Sequence, residues 1–528
     1  MPSSWRRAGP FAAAALLAVH AILAWLCRAP GISFGGDDAK YLLLARALRG
    51  LSYRELWIAG TPWHAQYPPA FPAVLAVLSA VLGERVDLLV LFNILCSVVS
   101  LGLAWWTVRR LSSDGVALAT LAVLAVNPFL ITWAGLLLSE PMFMLLSTAV
   151  ITLLAAPEPG RGRLGLASAL AILAALTRTA GLPVAVTVGA LWLLQRRWKA
   201  ALAHAAACAL VLGGWYLWLK THAPQASVTY MTTIGTTTQR ASSSPFQYLN
   251  QVIARALEYT NLAVPVGLTA PSVPGTVLDN LLIVGVIGVA VVTALVTLRR
   301  RWTALVLYLP LSIGLLSLWP IVETRFVTPL LPLLAETVML GLAALPGQRR
   351  ERWGIVAAAV VALALVAGGV PQTAALAADR SQCVRGSSPP DPSCEPHDPA
   401  SFFAAVAWIR DHLPPDAVVM SAKPSVLYYY SGRRSILTRP PTARDSTVFL
   451  RRLEDSGAGW ILLSSLNWGE IAVGRQLRGG CHKLAVEREF SPRTYLLRID
   501  PPAADSSACR ALEVYRRATF GRDVNRDR

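Results

Sequence analysis

Two adjacent carboxylates occur near the N-terminus, in the run Gly35-Gly36-Asp37-Asp38. The glycines interrupt the chain, and the pattern that follows predicts an amphipathic helix with Tyr41 on its apolar face, ending at Gly50. Paired carboxylates at the start of such a helix suit general acid–base or metal-binding chemistry. N-capping and complementarity to the helix dipole are the alternative, and one carboxylate would satisfy them.

Three short turns between apolar segments carry further charged residues. They contain Glu140 in Ser139-Glu140-Pro141, Arg178 in Thr177-Arg178-Thr179, and Glu323 with Arg325 in Glu323-Thr324-Arg325-Phe326. An arginine at such a boundary is costly to desolvate unless an acid or an anion meets it, so Arg178 and Arg325 are candidate phosphate ligands. For Glu140 the alternative is a place in the first turn of a capped helix, and for Arg325 a local pair with Glu323.

His64 and Tyr67 lie in the run His64-Ala65-Gln66-Tyr67-Pro68-Pro69, whose prolines predict an extended entry into a short helix. Together with Tyr41 and Glu323, they are our candidates for a substrate pocket. The seven histidines are scattered, and the sequence has no HExxH or CxxC motif. We therefore predict no metal site and no required cofactor, while an optional divalent cation on the carboxylates stays open.

These residues must be positioned by a chain that is 54% hydrophobic and only 15% charged. Its apolar runs are long enough, or nearly so, to cross a hydrocarbon core of about 30 Å. They predict a polytopic α-helical membrane protein with about eleven transmembrane helices, at residues 10–27, 86–108, 115–134, 141–157, 164–177, 182–195, 200–219, 277–298, 302–319, 326–346 and 353–371. For the first segment, a cleaved signal peptide is the alternative.

The basic residues predict the orientation. Much of the net charge of +18 lies in every second connection, in clusters at 6–7, 109–110, 161–163, 196–199, 299–301 and 349–352. Because such clusters stay in the cytoplasm, the N-terminus is expected inside. The outer face then receives the first loop (28–85), the turns at Glu140, Arg178 and Arg325, the loop 220–276 and the C-terminal tail. Residues 69–82, broken by prolines, are predicted to be a juxtamembrane or re-entrant helix. Because the basic clusters are explained by the orientation of the chain in the membrane, the positive net charge does not require a nucleic-acid partner.

The tail predicts a separate exported α/β domain at 400–515, after a linker at 372–399 and before a disordered end at 516–528. Helices are expected at 402–413 and 447–455, and strands at 417–420, 460–463 and 495–498. Four cysteines lie in this region, and in an exported domain they suggest two disulfides. Sequence proximity favours Cys383 with Cys394 and Cys481 with Cys509. Other pairings, or reduced thiols, are the alternatives.

Several of these motifs occur together in a known order: Asp37-Asp38-Ala39-Lys40-Tyr41, Tyr67-Pro68-Pro69, Ser139-Glu140, Thr177-Arg178-Thr179-Ala180-Gly181 and Arg325-Phe326-Val327-Thr328-Pro329. In this order they resemble the integral-membrane GT-C glycosyltransferases, in particular the bacterial branch of protein O-mannosyltransferases and the lipid A aminoarabinose transferase. The resemblance covers residues 1 to about 371, and the tail is similar to that of the aminoarabinose transferase branch. The family's acidic pair is commonly Asp-Glu followed by Arg, so the departure here leaves the donor sugar open.

The resemblance implies a polyprenyl-phosphate-linked sugar as donor and a hydroxyl of a lipid, glycan or protein as acceptor. Asp37 matches the family's catalytic aspartate and is expected to be the general base of an inverting transfer. Arg178 and Arg325, supported by Lys40, are expected to stabilise the leaving phosphate. Asp38 and Glu140 would orient the acceptor, hold Lys40 or Arg178, or bind the optional cation. The loop 221–244 is expected to be either a lid over the donor or a plain linker.

These features together predict an enzyme of the bacterial cytoplasmic membrane, in contact with membrane lipids and active on the outer face. One alternative is a polymerase or ligase that moves a lipid-linked oligosaccharide. A transporter or flippase of lipid-linked sugars is a second alternative. It is disfavoured, because the candidate charges gather at one face and no internal repeat is evident.

Overall fold

The computed structural model describes residues 3–33, 35–155, 160–222, 244–269, 285, 288–289, 291–294, 303–344, 351–383, 397–436, 446–466, 468–499 and 506–519. The chain divides into two compact units. The first comprises Met1–Arg28, Ala65–Val74 and Leu88–Ser381, and the second comprises Ala29–His64, Leu75–Asp87 and Gln382–Arg528. Most of the first loop is therefore grouped with the C-terminal domain, whereas the sequence pattern grouped it with the membrane helices.

Up to Ser381 the described chain is almost entirely helical. In chain order, its helices are α1 (Ser3–Leu26), α2 (Asp37–Arg49), α3 (Ala70–Leu82), α4 (Val86–Leu111), α5 (Asp114–Ala125), α6 (Pro128–Ala134), α7 (Glu140–Leu154), α8 (Arg161–Thr177), α9 (Leu182–Leu194), α10 (Trp198–His222), α11 (Pro245–Glu258), α12 (Val264–Thr269), α13 (Thr303–Ser317), α14 (Thr324–Val327), α15 (Leu331–Ala344) and α16 (Glu351–Ser381).

Helices cover every predicted transmembrane segment except 277–298, most of which lies outside the described residues. Within the described part of the chain, five helices are long and apolar enough to cross a membrane, or six if the bent pair α5 and α6 is one span. The fold is thus that of a mostly helical protein with several candidate spans. A total of eleven crossings requires that the shorter apolar helices also cross the membrane, and it stays a prediction.

The bend between α5 and α6 measures 60° and is encoded by two residues. Asn127 caps α6, since its side chain accepts a hydrogen bond from the Leu130 amide at 3.1 Å. Its amide nitrogen also donates to the carbonyl of Gly267 at 2.8 Å. Pro128 takes the first helical position, where a missing N–H costs nothing. The bend is therefore a capped helix start rather than a distortion.

Polar side chains inside the first unit are satisfied locally or link neighbouring helices. His20 in α1 bonds the hydroxyl of Ser97 in α4 at 2.8 Å and the carbonyl of Ala125 in α5 at 3.1 Å. Since an unsatisfied polar group in an apolar interior is costly, this link ties α1 into the helix packing.

The C-terminal part of the second unit is an α/β domain. Its elements are α17 (His397–His412), β1 (Val419–Ser421), α18 (Pro424–Ser431), α19 (Ser446–Asp455), β2 (Trp460–Leu463), α20 (Trp468–Leu477), β3 (Leu484–Ser491), β4 (Thr494–Ile499) and α21 (Ser507–Thr519). The strands form one sheet in the order β1-β2-β4-β3, with β1 parallel to β2 and the other pairs antiparallel.

The predicted strands at 417–420, 460–463 and 495–498 are confirmed to within a few residues as β1, β2 and β4. Strand β3 was not predicted, because it lies at the edge of the sheet and carries the exposed charged run Glu487-Arg488-Glu489 in place of an apolar pattern. The predicted helices at 402–413 and 447–455 correspond to α17 and α19.

Two predicted boundaries need correction. Helix α16 continues through Pro371 to Ser381, so the predicted linker begins as helix, and residues 384–396 lie outside the described part. Helix α21 runs to Thr519, so the predicted disordered end does not start at 516. It continues because Arg516 donates to Glu513 at 2.7 Å one turn earlier and because Thr519 is buried.

The region between α10 and α13 is described only in part. Residues 223–243, which include most of the predicted lid or linker, lie outside the described residues. Helix α11 is followed by a π-helical turn at Tyr259–Ala263. Phe246, Leu249, Ile253 and Leu257 expose one apolar stripe along α11, as an interfacial helix would.

Cys481 and Cys509 form a disulfide between the turn after α20 and helix α21. This confirms one predicted pair. Cys383 is also disulfide-bonded, while Cys394 lies outside the described residues. Cys27, Cys96 and Cys208 do not form disulfides.

Replacing both Cys481 and Cys509 by serine should destabilise the second unit. The bond spans a sequence separation of 28 residues, and its loss should lower the free energy of unfolding by about 3 kcal/mol. Thermal unfolding of the purified protein measures the change. The control is Cys208→Ser, which removes a cysteine that is not in a disulfide. If the double variant melted at the same temperature as the wild type, the expectation would be contradicted.

Candidate active site

The acidic pair starts helix α2 directly after a left-handed turn. Gly36 has a φ of +85°, a conformation that favours glycine. The turn directs Asp38 inward, where its carboxylate accepts hydrogen bonds from the Ser33 amide at 2.7 Å and the Ala39 amide at 2.8 Å. Asp38 is only 1% exposed. Burial raises its pKa to about 6, although the hydrogen bonds oppose the rise.

Asp37 lies in a different environment from its neighbour. Its side chain is 24% exposed, and one carboxylate oxygen lies 3.4 Å from Nζ of Lys40. Asp38 therefore performs the structural task of fixing the helix start, which the sequence allowed for either residue. Asp37 stays partly exposed. Among the residues that the structure describes, no cluster of three or more His, Cys, Asp or Glu could hold a metal ion.

Helix α2 is more deeply buried than an amphipathic surface helix would be. The consecutive residues Leu42, Leu43 and Leu44 are all fully buried, so more than one face of the helix is covered. Near its C-terminal end, Arg46 donates to Glu84 at 2.6 Å. Arg49 donates to the other oxygen of Glu84 at 2.5 Å. The helix that carries the acidic pair is thus anchored at both ends.

A second charged cluster is built around Glu140 in the first unit. One oxygen of Glu140 lies 2.9 Å from Nη1 of Arg178 and accepts a hydrogen bond from Nε of Arg325 at 2.5 Å. Glu140 is 1% exposed, whereas the arginine side chains are 15% and 21% exposed. The sequence hypothesis of a local Glu323–Arg325 pair is replaced by this long-range pairing. A buried acid thus holds two partly exposed cations.

Backbone geometry brings these turns together. Asn93 in α4 donates to the carbonyls of Leu136 and Leu138, at 2.6 and 2.8 Å, and so fixes the segment before Ser139. Helix α8 ends at Thr177, and Arg178 takes an extended conformation. The turn after it packs so closely that a Cβ on Gly181 would lie 2.3 Å from the carbonyl oxygen of Ala174. Only glycine fits there.

Ser139 and Trp133 complete the surroundings of the arginines. The hydroxyl of Ser139 accepts a hydrogen bond from Arg178 at 3.0 Å, so it serves the arginine and does not cap α7. The guanidinium of Arg325 lies 5.2 Å from the ring centroid of Trp133, within cation–π range. A small cavity beside Glu140 is lined by Trp133, Met144 and Thr328, among others.

The predicted substrate-pocket residues are differently exposed. Tyr41 and Tyr67 are buried, whereas Glu323 is exposed just before α14. His64 is packed edge-on against the rings of Tyr53 and Trp57. Burial lowers the pKa of His64, although its hydrogen bond to Glu55 at 2.7 Å opposes the change. His64 thus has the surroundings of a core histidine, and the role of these four residues toward a substrate stays a prediction.

Three further ionisable residues with notable surroundings were not predicted from the sequence. Lys423, just before α18, donates from Nζ to the carbonyl of Gly35 at 3.1 Å. Glu470 in α20 is buried and accepts hydrogen bonds from the amide and hydroxyl of Ser464, and burial raises its pKa to about 8. Glu336 is fully buried within α15, and neither carboxylate oxygen has a hydrogen-bond partner among the described residues. For Glu336 the signal was available, since it is an acid inside a predicted span.

Solved structures similar to this chain cover most of its length. ArnT from Cupriavidus metallidurans in the apo state has a TM-score of 0.58 and 14% identity, over 92% of this chain and 97% of ArnT. ArnT bound to undecaprenyl phosphate has a TM-score of 0.56 and 14% identity, over 94% and 98%. The Archaeoglobus fulgidus oligosaccharyltransferase tethered to an acceptor peptide with an NVT sequon has a TM-score of 0.54 and 12% identity, over 96% and 77%. No family model and no curated protein sequence matches the chain. These similarities show that the chain shares its fold with ArnT and with the oligosaccharyltransferase, as the resemblance implied.

Replacing Glu140 by glutamine should destabilise the first unit. The shape is kept, but the two guanidiniums lose the negative charge between them, which should cost about 1–3 kcal/mol given their partial exposure. Thermal unfolding of the protein in lipid nanodiscs measures the effect. The exposed Glu323→Gln variant is the control. Equal melting temperatures for Glu140→Gln and wild type would show that the acid does not support the cluster.

Replacing Asp38 by asparagine should flatten the pH dependence of stability. A carboxyl group whose folded-state pKa is raised stabilises the fold fully below its ordinary value of 3.8, and that stability is lost as the pH rises through about 6. The wild type should therefore lose stability relative to Asp38→Asn across this interval. Melting temperatures at a series of pH values test this, with the exposed Asp416→Asn as control. A constant difference between Asp38→Asn and wild type at all pH values would contradict the buried, proton-retaining carboxyl.

Proposed function

We propose that this chain is a membrane glycosyltransferase that moves a sugar from a polyprenyl phosphate to an acceptor hydroxyl on the outer face of a bacterial cytoplasmic membrane. The observation that carries the proposal is the similarity of fold, over nearly the whole of both chains, to ArnT bound to undecaprenyl phosphate. The candidate membrane spans support a lipid-linked donor, whose polyprenyl tail stays in the bilayer. The orientation rests on the pattern of basic residues.

In this proposal the Glu140 cluster receives the donor phosphate. Arg178 and Arg325 supply two positive charges and Glu140 one negative charge, so the cluster keeps a net charge of +1. An anionic phosphate is electrostatically favoured beside it. Guanidinium groups suit this task because they donate several hydrogen bonds in one plane. As the bond between the anomeric carbon and the phosphate oxygen breaks, they would stabilise the charge that develops on the phosphate.

Asp37 is the proposed general base. The acceptor oxygen attacks the anomeric carbon, its proton passes to the Asp37 carboxylate, and the electron pair of the breaking bond leaves with the phosphate. A single displacement inverts the anomeric configuration. Because a carboxylate is a weak base, proton transfer must accompany bond formation. The exposure of Asp37 beside a buried Asp38 supports this assignment. Lys40, which pairs with Asp37, would orient the base or assist with the phosphate.

Two alternatives draw on specific observations. The similarity to the Archaeoglobus fulgidus oligosaccharyltransferase supports transfer of an oligosaccharide in place of one sugar. Reconstitution with monosaccharide and oligosaccharide donors on undecaprenyl phosphate separates these two. Glu336, buried in α15, is the kind of residue that a transporter of lipid-linked sugars would use. Movement of a labelled donor across vesicles without transfer to any acceptor would favour transport.

Replacing Asp37 by asparagine should reduce transfer by at least about 100-fold, since the variant cannot accept the proton. Donor binding and thermal stability should stay close to those of the wild type. Transfer from a radiolabelled undecaprenyl-phosphate sugar in proteoliposomes measures the rate, and Asp416→Asn is the matched control. Wild-type turnover by Asp37→Asn would eliminate this residue as the base.

A further inference from the structure

The backbone leading to the acidic pair is held by side chains of the C-terminal domain. Lys423 donates to the carbonyl of Gly35 at 3.1 Å, and the hydroxyl of Ser425 donates to the carbonyl of Gly36 at 2.9 Å. The hydroxyl of Tyr430 lies 3.0 Å from the amide nitrogen of Ile32, which donates to it, and 3.2 Å from the Ile32 carbonyl oxygen. All three side chains come from α18 or the residue just before it. One short helix thus fixes both ends of the turn before Asp37.

The fit between α18 and this turn is close. A Cβ on Gly36 would lie 3.2 Å from the side chain of Val426 and 3.3 Å from the hydroxyl of Ser425. A side chain at position 36 would therefore have to push α18 away. Inside the turn, the Ser33 amide donates to Asp38, so the held backbone is bonded directly to one of the two carboxylates. A displacement of α18 would move the turn through the hydrogen bond between Ser425 and Gly36. It would then move Asp38 through the hydrogen bond from the Ser33 amide.

We propose that the C-terminal domain positions the acidic pair, and that Lys423 is the positioning residue through which it does so. The inference rests on the proposed function, because it assigns Lys423 an effect on the reaction of Asp37. Lys423 itself need touch neither donor nor acceptor. Its hydrogen bond to Gly35 sets the path of the chain two residues before the base, and Ser425 supports the same turn.

Lys423 also affects the acidic pair through the positive charge of its ammonium group. Burial lowers the pKa of Lys423 and Lys40 lowers it further, whereas Asp37, Glu470 and Asp38 raise it. The ammonium group is thus attracted to both members of the acidic pair, and it favours their ionised forms. Loss of this cation should make both carboxylates harder to ionise. The acid limb of the activity profile should then move to higher pH.

The test is Lys423→Met in the full-length protein in nanodiscs, with Lys483→Met as the matched control in the same domain. We expect kcat to fall by about 10- to 100-fold, because a shift of about 1 Å at a reacting group costs this much. The KM for the undecaprenyl-phosphate sugar should change less than about 2-fold, since donor binding is assigned to other residues. The acid limb should move upward, and Lys423→Arg, which can still donate to Gly35, should restore part of kcat.

Hydrogen exchange of the segment 32–41 provides a readout that needs no activity. Lys423→Met and the milder Ser425→Ala should both accelerate exchange there and leave the helices of the first unit unchanged. Unchanged exchange in this segment, or wild-type kcat and pH profile in Lys423→Met, would overturn the proposal. If Lys423→Met fails to fold, Ser425→Ala decides by the same two measurements. A wild type that transfers sugar from no polyprenyl phosphate would refute the proposed function, while the exchange result would still report on the turn.

Discussion

The carboxylate of Glu140 is the charge on which the polar part of the first unit depends. Two arginines from distant turns bond to it, Arg178 after α8 and Arg325 at the start of α14. Without the acid, two guanidiniums close together would repel each other and would each have to be desolvated alone. The buried acid therefore permits two cations to be held at the margin of an apolar helix bundle. The residual positive charge is what makes the cluster suitable for an anion.

In the second unit, burial separates two neighbouring carboxylates into different environments. Asp37 and Asp38 are adjacent in sequence, yet one is partly exposed and the other is enclosed by backbone amides. The division follows from the left-handed conformation of Gly36, which rotates the start of α2 so that Asp38 faces the turn. A buried carboxylate and a partly exposed one can then share the same helix end, because only one of them is needed to fix it.

The sequence could predict what depends on local pattern. Apolar runs predicted the helices, and four apolar residues at 460–463 predicted strand β2. Local reasoning failed for pairings across the chain. For Arg325, the sequence suggested a local pair with Glu323 as the alternative to phosphate binding. Its actual partner is 185 residues away. The bond between Ser425 and Gly36 spans 389 residues and leaves no trace in the spacing of either segment.

The same limit explains why the sequence pattern could not show that the two carboxylates differ in burial. Their difference arises from what encloses them, namely the Ser33 amide on one side and Lys40 on the other. The two charges are also coupled, because each carboxylate opposes the ionisation of the other, and Asp37 contributes to the raised pKa of Asp38. The buried carboxyl that fixes the helix start is therefore linked electrostatically to its partly exposed neighbour.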